Sequence, residues 1–125
     1  MKLILIIDDK STIVENLTEF LELRGFTVIS ANNGVDGLAM AKTYLPDLIV
    51  CDIRMPGMDG HAVLSNLLDH EDTSSIPFVF STAKAEPIDR EKALALGAQG
   101  YLIKPYDPCE LLILVDSLFV LKKLH

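Results

Sequence analysis

Several absences bound what this chain of 125 residues can be. Basic residues are scarce: 11 Lys and Arg stand against 18 Asp and Glu, a formal net charge of -7. Phosphate backbones are held by clustered cations, so direct nucleic-acid binding is not expected; basic partners or metal cations suit the chain better. Bilayer-length apolar runs are missing too. The N-terminal run Leu3 to Ile7 stops at Asp8-Asp9, too short for a signal-peptide core, and no segment could cross a membrane. Cysteine is limited to Cys51 and Cys109, without metal-ligand spacing, and both are expected as reduced thiols in a cytoplasmic protein. No Pro-, Gly- or Ser-rich tract, repeat or long like-charge run breaks the chain. Half the residues are hydrophobic, so residues 1–125 are expected to form one compact domain.

What is present is a repeating alternation. Leu3 to Ile7 is an unbroken β-prone run, followed by Ile13, Leu17, Phe20 and Leu21 at helical spacing, with Gly25 as a stop. Phe26 to Ala31 reads as a second strand. After Asn32-Asn33-Gly34, the residues Val35, Leu38 and Ala39 define one helical face. Leu48 to Cys51 is a third strand, and Val63, Leu64 and Leu67 mark the helix after Pro56-Gly57. Ile76 to Phe80 is predicted as the fourth strand, followed by a helix carrying Ala93 and Leu94 that stops near Gly97. Tyr101 to Ile103 is the fifth strand. Asp107-Pro108-Cys109-Glu110 opens the last helix, with Asp as cap, Pro at the first helical position and Glu at the third. Strands alternating with helices imply a parallel α/β sheet, covered on both faces, with right-handed crossovers.

In such sheets ligands sit beyond the carboxyl ends of the strands, where strand order reverses. Four strands end in polar groups: Asp8-Asp9, Asp52, Ser81-Thr82 and Lys104-Pro105. Taken singly, Asp9 could cap a helix, Asp52 start a turn, Thr82 cap the fourth helix and Lys104 be a solvated turn residue. Four such ends on one edge are harder to assign to local roles. Three close carboxylates need either raised pKa values or a bound cation. Oxygen-only donors suit Mg²⁺, and the lack of His or Cys at these ends argues against zinc. A carboxylate beside Mg²⁺, an ammonium and a hydroxyl is suited to accepting a phosphoryl group, with no general base required.

With Met55-Pro56-Gly57-Met58-Asp59-Gly60 after Asp52, and Ala83 after Ser81-Thr82, the set resembles the receiver domains of bacterial response regulators, in order and across almost the whole chain. The resemblance implies a flavodoxin-like, doubly wound (βα)5 fold of strand order 2-1-3-4-5. It implies Asp52 as the phosphorylated residue, Asp9 as a direct Mg²⁺ ligand, Asp8 as a ligand through water, and the carbonyl of Arg54 completing the protein ligands. Thr82 would bond a phosphoryl oxygen, Lys104 would pair with it, and Tyr101 would be the aromatic that turns inward with Thr82. Packing alone is the competing account of Tyr101. Lys104-Pro105 resembles a peptide bond that is cis in the family. The implied partners are a sensor histidine kinase or histidine phosphotransfer protein and a downstream effector or output domain. Such a domain catalyses its own phosphorylation and slow dephosphorylation but acts as a switch, not as a metabolic enzyme.

Arg54 and Lys84, each two residues beyond an expected site residue, are both cationic and are expected to draw phosphoanions and crowd hydrolytic water. His61, placed on the exposed side of its helix, His70 and His125 receive no role. On the last helix Leu111, Val115 and Leu118 should face the core, whereas Ile113 and Val120 point outward, as scattered surface apolars or as the contact of a weak homodimer. Two enzyme or cofactor readings fit less well. A phosphatase of the haloacid dehalogenase type needs an Asp where Arg54 stands, and a dinucleotide-binding domain needs a glycine-rich turn where Asp8-Asp9-Lys10-Ser11 stands. The remaining alternative is a pseudo-receiver, never phosphorylated, that acts only through protein contacts.

Overall fold

The computed structural model of the chain describes residues 2–83 and 86–124, with side chains in the last helix as far as Val120. Five strands and five helices alternate: β1 (Leu3–Ile7), α1 (Ser11–Glu22), β2 (Thr27–Ala31), α2 (Gly34–Tyr44), β3 (Leu48–Cys51), α3 (Gly60–Leu68), β4 (Phe78–Thr82), α4 (Pro87–Leu96), β5 (Gly100–Ile103) and α5 (Pro108–Leu124). All strand pairs are parallel, and the sheet order is β2-β1-β3-β4-β5, the flavodoxin-like arrangement.

The unbroken apolar strands are explained by burial on both sides. Leu5, Ile7, Ile49, Cys51, Phe78 and Phe80 point to one face, against Ala41, Val63, Leu64, Leu67 and Ala93 from α2, α3 and α4. Their neighbours Ile4, Ile6, Leu48, Val50 and Val79 point to the other, against Leu17 and Leu21 of α1 and Leu111 and Val115 of α5. The period of two along each strand thus divides the core into two layers. Cys51 and Cys109 are both free thiols, one buried and one exposed.

Three expectations need correction. The buried side of α2 is Gly34, Gly37 and Ala41, with Val35 and Ala39 outside. Gly37 packs so closely on Ile7 that a Cβ there would collide with its side chain. Bare backbone, invisible to a hydrophobic pattern, makes that contact. The fourth strand runs Phe78–Thr82, two residues later than the apolar run suggests, because Ile76 closes a turn onto the carbonyl of Thr73 and Pro77 has no N–H to donate. His61 is half-buried, its ring 5.3 Å from that of Phe80.

The opening of α5 follows the expected capping pattern. Asp107 Oδ1 accepts the N–H of Cys109 at 2.9 Å, and Glu110 Oε2 accepts that of Asp107 at 3.0 Å. Together these satisfy helix-start donors that would otherwise lack partners. Those backbone and thiol bonds hold the Asp107 carboxyl below its ordinary value.

Candidate functional site

β1 and β3 are adjacent, but the chain leaves them in opposite directions, to β2 and to β4, so their carboxyl ends open at the point where strand order reverses. The backbone ladder extends one residue past each strand and fixes what comes next. Asp8 donates its N–H to Ala31 O at 3.1 Å, Asp52 to Ile7 O at 2.9 Å, and Lys104 to Thr82 O at 2.7 Å. Asp8, Asp52 and Thr82 are therefore held on main-chain rails, and all three are buried. Lys104 stands before Pro105 across a cis peptide bond.

The side chains converge. One carboxylate oxygen from each of Asp8, Asp9 and Asp52 lies within 4.8 Å of the others. Lys104 Nζ lies 2.7 Å from Asp8 Oδ2 and 3.2 Å from Asp52 Oδ2. From the solvent side, Lys10 Nζ approaches Asp9 Oδ1 at 3.5 Å and Asp52 Oδ2 at 4.0 Å. Three carboxylates thus meet two ammonium groups, and with all three ionised one negative charge remains uncompensated. The donors are all oxygen, two of the carboxylates are buried and Asp9 is open to solvent, a set that fits a hard divalent cation such as Mg²⁺.

The surroundings are dry below and hydroxylic to one side. The Cys51 thiol donates to the carbonyl of Asp52 at 3.2 Å. Burial, with the nearby Asp52 and Asp8 carboxylates, pushes its pKa well above the ordinary value, so it serves as core and not as a nucleophile. Ser81 Oγ and Tyr106 OH share a hydrogen bond of 2.8 Å beside Thr82. Burial of Tyr106 raises its phenol, the Ser81 bond lowers it, and Asp8 and Asp52 raise it further. Tyr101 is buried, with its ring centroid 6.3 Å from that of Phe80 in an edge-on contact. Burial, with Asp89 adding to it, pushes its phenol up as well.

A protein-family comparison matches residues 4–116 to the response regulator receiver domain. The chain belongs to that family. It is 38% identical over 117 residues to Protein PilH of Pseudomonas aeruginosa, covering 94% of this chain and 97% of that protein. It is also 38% identical over 115 residues to the probable transcriptional regulator ycf29 of Pyropia yezoensis, covering 92% of this chain but 52% of that protein. The receiver thus spans about half the length of some curated relatives it matches. Among solved structures, a chain in the CheX–CheY–BeF3–Mg²⁺ complex of Borrelia burgdorferi superposes with a TM-score of 0.88 at 29% identity, covering 94% of this receiver and 89% of that chain. Receiver domains of two-component systems bind Mg²⁺ in an acidic pocket and interact with kinases and effector domains. No helix among the described residues of this receiver is long and apolar enough to cross a membrane.

The sequence-predicted residues Asp8, Asp9, Asp52 and Lys104 come together in this receiver, with Thr82 joined to Lys104 through the backbone. The local roles considered for them do not describe the geometry. α1 has no side-chain cap from Asp9, and α4 begins at Pro87, beyond reach of Thr82 as a cap. Arg54 is exposed in the turn after β3, and Lys84 lies outside the described residues. Sequence reasoning missed Lys10 and Tyr106. Lys10 reads as a lead-in to α1, although its place directly after Asp8-Asp9 was a usable signal; Tyr106 signals nothing until β4 and the loop after β5 are side by side.

Proposed function

We propose that Asp52 accepts a phosphoryl group from a phosphohistidine on a sensor kinase or histidine phosphotransfer protein, and that a downstream effector or output domain reads the resulting change of surface. The observation that carries this reading is the setting of Asp52: a buried carboxylate at the end of β3, grouped with Asp8 and Asp9 within 4.8 Å and facing Lys104 Nζ at 3.2 Å.

An Asp52 oxygen bonds to phosphorus as the phosphorus–nitrogen bond breaks, and the imidazole nitrogen leaves with the bonding pair and is protonated. Asp9 directly, Asp8 through water, Asp52, and the carbonyl of Arg54 would hold Mg²⁺, which offsets charge on the phosphoryl oxygens when bound. Lys104 is already within reach of the acceptor and pairs with a phosphoryl oxygen after transfer. Thr82 bonds another through its hydroxyl. These contacts exist only after transfer and therefore favour the conformation that makes them, in which Tyr101, already packed inward against Phe80 before phosphorylation, is retained there.

The relative from Borrelia burgdorferi, taken from a complex that contains BeF3 and Mg²⁺, supports the same chemistry here. Intact-mass measurement after incubation with Mg²⁺ and a small phosphodonor tests the reading. One phosphoryl adduct is expected on the wild type and none on Asp52→Asn; no adduct on the wild type, or an equal one on the variant, overturns it.

A further inference from the structure

Lys10 is placed where its helix does not want it. Its carbonyl accepts the N–H groups of Ile13 and Val14 at the start of α1, an end of a helix that favours negative charge and disfavours an ammonium. Its own N–H donates to Asp8 Oδ1 at 2.9 Å, so the backbone is anchored to the acidic cluster. From this anchor the side chain turns back over the site, to 3.5 Å from Asp9 Oδ1 and 4.0 Å from Asp52 Oδ2. The two ammonium groups of the site differ in freedom. Lys104 is 12% exposed and enclosed between Asp8 and Asp52, whereas Lys10 is 59% exposed on a flexible four-carbon stem.

We propose that Lys10 is a resident counter-cation of the acidic site, bridging Asp9 and Asp52 while no divalent cation is bound and withdrawing into solvent when one binds. The inference rests on the metal-binding reading of the Asp8, Asp9 and Asp52 cluster. The oxygens that Lys10 faces belong to two of the three carboxylates available to a metal, and a carboxylate oxygen already paired with an ammonium is a weaker ligand. Two cations over the same oxygens also repel each other. Lys10 therefore stabilises the metal-free receiver and lowers its affinity for Mg²⁺, which moves half-saturation to a higher metal concentration without touching the donor set. Because the pair is solvent-exposed on one side, salt weakens the effect.

Thermal unfolding of the EDTA-treated receiver across a Mg²⁺ titration tests this, since a ligand of the folded state stabilises it by RT ln(1 + c/Kd), with c the free Mg²⁺ concentration, and so raises Tm further, at a given concentration, the tighter it binds. Lys10→Gln is expected to lower the metal-free Tm and to bind Mg²⁺ about threefold to fivefold more tightly, the upper range for one exposed ion pair. Lys10→Arg keeps the charge and should stay near the wild type. Lys42→Gln, an exposed lysine in the last turn of α2, removes the same charge elsewhere and should shift the affinity far less. A Mg²⁺ response in the wild type that is equal in Lys10→Gln, or an equal shift from Lys42→Gln, overturns the role of Lys10 alone. No Mg²⁺ response in the wild type, matched by none in Asp9→Asn, overturns the metal reading and this inference with it.

Discussion

The ammonium of Lys104 lies 2.7 Å from Asp8 Oδ2, closer than the 3.2 Å that separates it from the proposed acceptor Asp52. Lys104 therefore has a structural duty: it neutralises two buried carboxylates at once. Removing one member of a buried ion pair leaves an uncompensated charge. Lys104→Met is accordingly expected to lower unfolding free energy by about 3 kcal/mol, at the low end for buried pairs because one edge of the cluster is open to solvent. Urea unfolding in EDTA measures this, and an unchanged midpoint would show that the carboxylates do not depend on Lys104.

Gly60 opens α3 and lies directly beneath Asp52. A Cβ at this position would collide with the main-chain carbonyl of Asp52 and approach Ile53 Cα at 2.9 Å, so the obstruction is backbone and cannot rotate away. Gly60 N–H also donates to Ile53 O at 2.9 Å, holding the turn after β3 against the helix. Gly60→Ala should cost about 3 kcal/mol, the upper end for an overpacked site, and should displace Asp52 from Lys104. Chemical denaturation gives the first quantity and the yield of phosphoryl adduct the second; loss of stability with undiminished adduct would separate the packing role from the positioning role.

Most of this architecture is legible in the chain, for identifiable reasons. Strands buried on both faces must be continuously apolar, so Leu3 to Ile7 and Leu48 to Cys51 declare themselves, as does the capping pattern from Asp107 to Glu110. Outward-facing Ile113 and Val120 and inward-facing Leu111 and Val115 follow from helical periodicity and stand as expected. The carboxylates are legible because the sheet topology brings strand ends together. The misread features have no side-chain pattern to read. Gly34 and Gly37 bury α2 through bare backbone, the start of β4 is set by the turn at Thr73 and Ile76, and the His61–Phe80 contact depends on how α3 is rotated over the sheet. Lys10 was missed because its position at the start of α1 and its position in space point in different directions.

Tyr106 couples stability to alkaline pH. Its phenol is raised by burial above the ordinary value of 10, so the folded receiver holds the proton to a higher pH than the unfolded chain does. The associated stability is whole below about pH 10 and is lost as pH rises from there through the folded-state value. Tyr101 and Cys51 shift in the same direction and contribute to the same alkaline loss. Tyr106→Phe should cost about 1 kcal/mol near neutrality, the worth of its hydrogen bond with Ser81, and should lose less stability than the wild type between pH 9 and 11. Urea midpoints across that range check both signs; parallel curves for the two proteins would remove Tyr106 from the alkaline transition.

The two sides of α5 make opposite predictions. Leu111 is fully buried between the helix and the sheet, so Leu111→Ala leaves a cavity and should cost about 3 kcal/mol. Ile113, two residues later, is 70% exposed, so Ile113→Asp should change stability by less than about 0.5 kcal/mol. That tolerance makes Ile113→Asp a clean probe of what the outward face does, because any change in mass comes from association and not from unfolding. Sedimentation at several concentrations reads it. A wild type heavier than Ile113→Asp assigns Ile113 and Val120 to a weak self-contact, and equal monomeric masses mark them as solvated side chains on an ordinary surface.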